Sequence, residues 1–219
     1  LIFELDNVEL YFKNKRILNG IYLKAETGKV TAILGRNGCG KSSLLSIAFG
    51  TLQPKYKLVR LNSKPLLKPL YKTEIAKYLP QYNFLPNDLK LSFIFKLFQL
   101  DWSLFIQKFK VFSSFKHYKI KTLSGGERRI IETYIILKTK SSIIFLDEPF
   151  SHLSPLHIEL VKQLIAEEKK DKIIIISDHM YQHIIEVSDT IYLLKNGTTK
   201  KIEQLTELED YKYLSEGSL

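Results

Sequence analysis

The chain of 219 residues carries one cysteine, one methionine and one tryptophan. A single thiol, Cys39, excludes any internal disulfide and fits a reducing compartment. No apolar run reaches the roughly 18–20 residues that span a bilayer, and the longest, such as 173–176, are strand-length. The first residues, Leu1-Ile2-Phe3-Glu4-Leu5-Asp6, lack a basic region and carry acids, so they do not read as a secretory signal. There is no internal repeat and no low-complexity linker. Lys and Arg number 33 against 23 Asp and Glu, a net charge of +10. The lysines are scattered rather than clustered. That pattern reads as a solvated basic surface and not as a nucleic-acid patch. With 45% hydrophobic residues the chain has enough apolar surface for a sizeable core, in one large domain or two small ones.

Against these absences one stretch stands out. Gly35-Arg36-Asn37-Gly38-Cys39-Gly40-Lys41-Ser42 fits G-x-x-x-x-G-K-[ST], the nucleotide-phosphate loop. Glycines let backbone N–H groups curl around phosphate oxygens with no Cβ in the way. Lys41 can reach the β- and γ-phosphates, and the Ser42 hydroxyl is placed to ligate Mg²⁺. The flanks agree. Residues 30–34 read as a buried strand, and 43–48, beginning with Ser43, read as a helix whose N-terminus faces the phosphates.

Elsewhere the pattern indicates an α/β fold. Strands are expected over 8–12 and 16–24, joined by the turn 13–15, with 26–29 leading into the loop strand. Near-continuous Ile/Leu/Val runs at 142–146, 172–177 and 190–194 predict a mainly parallel sheet covered on both faces. A helix is expected over 155–170, with Ser154 as its cap and Pro155 at its first position. A second is expected over 180–187. From 82 to 122 the chain is rich in Phe, Leu and Lys. Leu91, Phe95, Phe98 and Trp102 recur at mixed three- and four-residue spacing, so this reads as a helical insert. The tail, 204–219, is expected to form a short helix and a loose end.

Two further motifs narrow the chemistry. Ile143-Ile144-Phe145-Leu146-Asp147-Glu148 is an apolar strand ending in two acids. Asp147 can hold Mg²⁺, and Glu148 stands where it could polarise an attacking water. Upstream, Leu123-Ser124-Gly125-Gly126-Glu127 exposes backbone N–H groups at a helix start, a second anion site.

Together these residues resemble the ATP-binding cassette (ABC) ATPases, over essentially the whole chain. The resemblance implies a phosphate-loop nucleotidase core, an N-terminal antiparallel β subdomain and a small helical subdomain at about 82–138, within one cassette covering 1–219. It makes Ser124, Gly125, Gly126 and Glu127 the signature motif, which caps the γ-phosphate of ATP on a partner subunit. Gln81 falls at the glutamine that senses γ-phosphate and Mg²⁺, and His179 at the switch histidine. Phe12 falls at the aromatic that stacks on adenine, with neighbouring Tyr11 as an alternative. ATP and Mg²⁺ are the implied cofactors. Gly35, Asn37, Gly38, Cys39, Gly40, Lys41, Ser42, Ser43 and Phe12 are the implied ATP contacts, with Ser42, Gln81 and Asp147 around the metal and Glu148, Gln81 and His179 in catalysis.

The implied function is the ATP-hydrolysing subunit of an ABC transporter. Two cassettes, identical or different, would close head-to-tail on ATP against separate membrane permease subunits, at the inner face of the cell membrane. No nucleic acid is expected. The segment 84–102 is expected to dock the membrane partner. The alternative is a soluble ABC ATPase acting on nucleic acid or ribosomes. Such relatives usually carry two cassettes or a coiled-coil insertion, and this chain has neither. A non-hydrolysing sensor fits less well, because Glu148 and His179 are both present. There are departures from the family pattern. Ser154 stands where an Asp usually couples the two ATP sites, Ile130 to Tyr134 replace an Arg- and Ala-rich stretch, and Cys39 replaces a small Ala or Ser. Glu127-Arg128-Arg129 and the tail 208–214 faintly resemble ATPases of lipopolysaccharide export and branched-chain amino-acid import. That likeness is too short to name a cargo.

Overall fold

Alternation of apolar and polar residues builds the first sheet. Phe3, Leu5, Val8 and Leu10 face inward along β1 (Ile2–Phe12), and Leu18, Ile21, Leu23 and Ala25 along β2 (Lys15–Glu26). The inward set skips from Leu5 to Val8. There the β1–β2 register shifts, and Asn7 takes a left-handed φ of 49°. The extra residue resets the facing so that Val8 stays inside. β1 also pairs antiparallel with β4 (Tyr56–Leu61), which turns back into β5 (Lys64–Pro65), giving the order β2-β1-β4-β5. The computed structural model describes residues 1–215 and Gly217; Glu216, Ser218 and Leu219, the end of the expected loose tail, lie outside the described residues.

The continuous apolar runs build the second sheet. Every residue of β3 (Val30–Leu34), β7 (Ile143–Asp147) and β8 (Ile173–Ser177) is buried. With β6 (Ala76–Leu79), β9 (Thr190–Lys195) and β10 (Thr198–Ile202) they form the order β10-β9-β3-β8-β7-β6. All pairings are parallel except the β9–β10 hairpin. Successive side chains leave a strand on opposite faces. Ile144, Leu146, Ile174 and Ile176 therefore join one core under α4 (Gly125–Lys138), α5 (Pro155–Glu168) and α6 (Tyr181–Val187). Ile143, Phe145, Ile173 and Ile175 join a second core with α1 (Lys41–Phe49) and the antiparallel sheet. At about 1.5–3 kcal/mol per fully buried Ile, Leu or Phe side chain, these strands fix the register of the molecule.

The insert is less helical than its spacing predicts. Among the described residues, 82–122 contains two seven-residue α-helices, α2 (Leu91–Leu97) and α3 (Trp102–Lys108), with short 3₁₀ turns and loops. Gln99 breaks the run at φ 55°, and the Asp101 carboxylate restarts it by accepting the Ser103 N–H at 2.7 Å. The mixed spacing arises because the apolar residues belong to two helices that share one core. Phe95, Trp102, Phe105 and Tyr134 meet at ring-centroid distances of 4.8–6.0 Å. Of the five aromatics of 84–102, Phe95 and Trp102 are buried in that core, and Phe84 and Phe98 pack against its edge half-buried. Phe93 and Leu97 remain exposed, at 52% and 60%.

At α5, Pro155 takes the first position as expected, but Ser154 makes no capping bond. Its hydroxyl pairs with His157 Nδ1 at 3.1 Å. The expected terminal helix is short, α7 (Glu207–Asp210). Among the described residues no helix is long and apolar enough to cross a membrane.

Candidate functional site

Parallel strands deliver their carboxyl ends to one edge of a sheet, where ligands of α/β proteins commonly sit. Here β3 leads into the phosphate loop, β6 into Gln81, β7 into Asp147-Glu148, and β8 into Asp178-His179. Residues far apart in sequence thus line one cleft of about 550 Å³. It is bounded by Phe12, Asn37, Gly38, Gly40, Lys41, Ser42, Ser43, Gln81, Glu148 and His179.

The loop takes its shape from glycine. Gly38 and Gly40 have φ of 77° and 110°, and a Cβ at Gly40 would meet Leu18 Cδ2 at 3.1 Å. Lys41 is buried, and its ammonium donates across the loop to the carbonyls of Gly35 at 2.8 Å and Arg36 at 3.2 Å. Phe12 is half exposed and lines the cleft. Tyr11, the alternative, has its ring against the Lys55 ammonium instead. Gly35 and Cys39 do not line this cleft. The Cys39 thiol lies on the far side of the loop, 2.6 Å from where a Cβ on Gly35 would stand, on the side of Leu194 in β9.

The acids are held firmly. Asp147 is buried; its Oδ1 accepts the Ser177 hydroxyl at 2.7 Å and its Oδ2 the Tyr78 hydroxyl at 3.1 Å. Burial and the Asp147 charge hold the Tyr78 phenol well above its ordinary pKa, so it stays a donor. Glu148 adopts a left-handed φ of 54°. Its Oε2 accepts Gln81 Nε2 at 3.0 Å and Ser151 Oγ at 3.1 Å, and it stands 3.6 Å from His179 Nδ1. Asp178, also buried, accepts the N–H groups of Phe150 and Met180, which ties the loop after Glu148 to the start of α6. Burial pushes the Asp178 carboxyl up.

A buried guanidinium underlies the arrangement. Arg129 donates to the carbonyls of Pro80 at 2.7 Å and Glu148 at 3.0 Å, and also to Asp147. It joins α4 to the ends of β6 and β7. Beside it, buried Glu132 accepts the N–H groups of Phe84 and Leu85 and the Arg128 guanidinium. The sequence reading missed Tyr78, Ser177, Arg129 and Glu132. Its one available signal was that each lies within a few residues of a motif.

Ser124 starts α4 with a reciprocal cap. Its hydroxyl accepts the Glu127 N–H at 3.3 Å, and the Glu127 carboxylate accepts the Ser124 N–H at 2.8 Å. A Cβ on Gly126 would come within 2.5 Å of the His152 carbonyl, so only glycine allows that approach. Gly125 faces a second hollow, shared with Gln81, Glu148, Ser151 and His152. Ser124, Gly125 and Gly126 do not line the cleft that holds Lys41.

Fold and loop together define a nucleotide-binding α/β protein of the phosphate-loop class. The family model described as ABC transporter matches residues 18–151, and the chain belongs to that family. It is 29% identical to an uncharacterised ABC transporter ATP-binding protein of Methanocaldococcus jannaschii, over 99% of this chain and 84% of the relative. It is 29% identical to a probable branched-chain amino acid transport ATP-binding protein of Archaeoglobus fulgidus, over 94% of both chains. In fold it is similar to an ATP-binding subunit of an ABC transporter, with a TM-score of 0.83 at 20% identity, over 98% of this chain and 94% of the other.

Proposed function

We propose that the chain is the ATP-binding and ATP-hydrolysing subunit of an ABC transporter, one cassette at the cytoplasmic face of the membrane working with separate permease subunits. The observation that carries this reading is the single cleft joining Lys41 and Ser42 to Gln81, Glu148 and His179. The relatives' names point to transport, one of them to branched-chain amino acids, and leave the cargo of this chain open.

The residues fit a hard divalent cation. Ser42 offers a hydroxyl, and Asp147 a buried carboxylate with no ion-pair partner among the described residues. Oxygen donors of this kind suit Mg²⁺. Ser42 and Asp147 would hold it, with Gln81 beside them. When bound, Mg²⁺ supplies neutralisation of phosphate charge.

The rest is the work of side chains. Lys41 leaves two backbone carbonyls and meets the β- and γ-phosphates. Gln81 leaves Glu148 and turns to the nucleotide, freeing the carboxylate to take a proton from water. His179 steadies that region from the end of β8. The N–H groups of Gly125 and Gly126 at the start of α4 lie outside the cleft, so a second cassette would supply that anion site in a head-to-tail dimer. Closure then follows from ATP binding the closed form better than the open one.

Glu148→Gln tests the reading. It keeps shape and removes the proton acceptor. Hydrolysis should collapse while ATP binding persists and an ATP-trapped dimer appears on size-exclusion chromatography. Hydrolysis at the parental rate would defeat the assignment. Lys41→Ala should instead lose binding and turnover together.

A further inference from the structure

Behind the phosphate loop lies a second cavity that the ATPase chemistry does not use. Its volume is about 340 Å³, at the small end for ligand pockets. One wall is the loop itself, at Arg36 and Cys39. A second is the end of β9, at Leu193 and Leu194, and the floor of the cavity is mainly apolar. The third is the segment after α7, with Tyr211 and Lys212. Buried Leu208 and Leu214 anchor that segment, and the Tyr213 ring lies 6.4 Å from the Tyr181 ring of α6.

The charge around this cavity is of one sign. Among the described residues Arg36, Lys195 and Lys212 line it, and no acid does. Arg36 donates to the Lys212 carbonyl at 3.4 Å, and Lys195 to the Tyr211 carbonyl. Among the described residues none of the three has a carboxylate partner. Glu209 and Asp210 border a neighbouring hollow that also meets Arg36 and Lys212. A guanidinium presents a planar fork that matches a carboxylate, and it stacks on aromatic rings. Tyr211 adds a ring to the apolar floor. A bare phosphate would satisfy the cations and leave that floor wet. A planar ring bearing one anionic group would satisfy both.

We propose that this rear pocket binds a small aromatic carboxylate, and that its occupancy acts on the ATP cleft through the loop the two cavities share. The linkage is reciprocal, so ATP and the rear ligand must change each other's affinity by the same factor.

Cys39 is the reporter, since it lines the pocket and is the only thiol. Burial pushes its pKa up, so labelling is done at mildly alkaline pH. The full chain is treated with a maleimide, with 2-naphthoate, neutral 2-naphthamide or inorganic phosphate present, and the single adduct is counted by mass. At about ten times its Kd, 2-naphthoate should slow labelling about tenfold, in the parent and equally in Phe12→Ala, whose ring lines the ATP cleft and not the rear pocket. Lys195→Gln/Lys212→Gln should lose most of that protection. A rise in Tm with 2-naphthoate in the parent, reduced in the double variant, gives a readout independent of thiol reactivity.

Equal protection by 2-naphthamide would mean an apolar pocket without anion selectivity and would overturn the proposal. Equal protection by phosphate would overturn the aromatic part. Loss of protection in Phe12→Ala would place the probe in the ATP cleft. A parental Tm and labelling rate unmoved by 2-naphthoate would remove the site. The ATP Kd at saturating 2-naphthoate should shift by about fivefold or more, within the usual range of coupling; an unchanged Kd would overturn the coupling.

Discussion

Arg129→Met replaces the buried strut of the site with an unbranched side chain of similar reach and no charge. Arg129 is 3% exposed and serves the carbonyls of Pro80, Asp147 and Glu148. The Glu148 carbonyl retains the Ser151 N–H at 3.3 Å, so two carbonyls lose this donor. Each costs about 1–3 kcal/mol if left buried and unpaired. Removing the guanidinium also removes its desolvation penalty, which offsets part of that loss. A net destabilisation of about 3 kcal/mol follows, and at roughly 2–4 °C per kcal/mol for a chain of this size the Tm should fall by about 6–12 °C. Calorimetry under reversible conditions measures it. ATP hydrolysis at a temperature where the variant is folded should fall as well, because the Glu148 backbone loses an anchor. Arg129→Lys is the informative control. It keeps a buried charge but has one compact head in place of a fork, so it should be no more stable than Arg129→Met. A Tm within about 2 °C of the parent, well short of the expected shift, would refute the strut. So would an Arg129→Lys variant that restores the parental Tm.

Gly126→Ala should fold but hydrolyse poorly, since its Cβ would meet the His152 carbonyl at 2.5 Å and push the loop after Glu148 off α4; parental activity would mean that this approach has no role in turnover. Phe105→Ala removes the centre of the ring cluster made with Phe95, Phe109, Phe112 and Tyr134 and should cost about 3–5 kcal/mol in denaturant unfolding. Phe12→Ala should weaken ATP binding by about tenfold or more, in line with a lost base–aromatic stack of ~1–3 kcal/mol, while an unchanged Kd in a calorimetric titration would point to another adenine contact. Burial opposes ionisation of Glu168, yet Lys138 and Lys172, each at 2.7 Å, hold its carboxyl below the ordinary value. A depressed pKa contributes stability that is present above the unfolded value and is lost as pH falls through the folded one. Glu168→Gln should therefore flatten the loss of stability on acidification below about pH 4.5, near the unfolded carboxylate range, as followed by Tm against pH.

The motifs were legible because each is a contiguous stretch whose chemistry is local. Gly38, Gly40, Lys41 and Ser42 need only one loop and one helix start, and the acids of β7 need only the end of an apolar strand. The strands were legible for the same reason, although β4, β5, β6 and β10 carry too few apolar residues in a row to announce themselves. The sequence alone put Cys39 among the nucleotide contacts. The fold turned its thiol to the rear of the loop, because Gly35, having no Cβ, leaves room there for the sulfur beside Leu194. It also suggested a docking surface in the aromatics of 84–102. The fold used Phe95 and Trp102 as core, with Phe95 against Tyr134 of α4.

What the sequence by itself determined is thus the set of reactive groups and the elements that carry them. Tertiary structure decided how those groups are held. Tyr78 and Ser177 meet Asp147 from 69 and 30 residues away, and Arg129 reaches Pro80 across 49. Those distances close only because β6, β7 and β8 lie side by side in parallel register and α4 packs across their ends. The order of strands in a sheet is set by which apolar faces bury one another over the whole chain. A local pattern of residues therefore does not contain it.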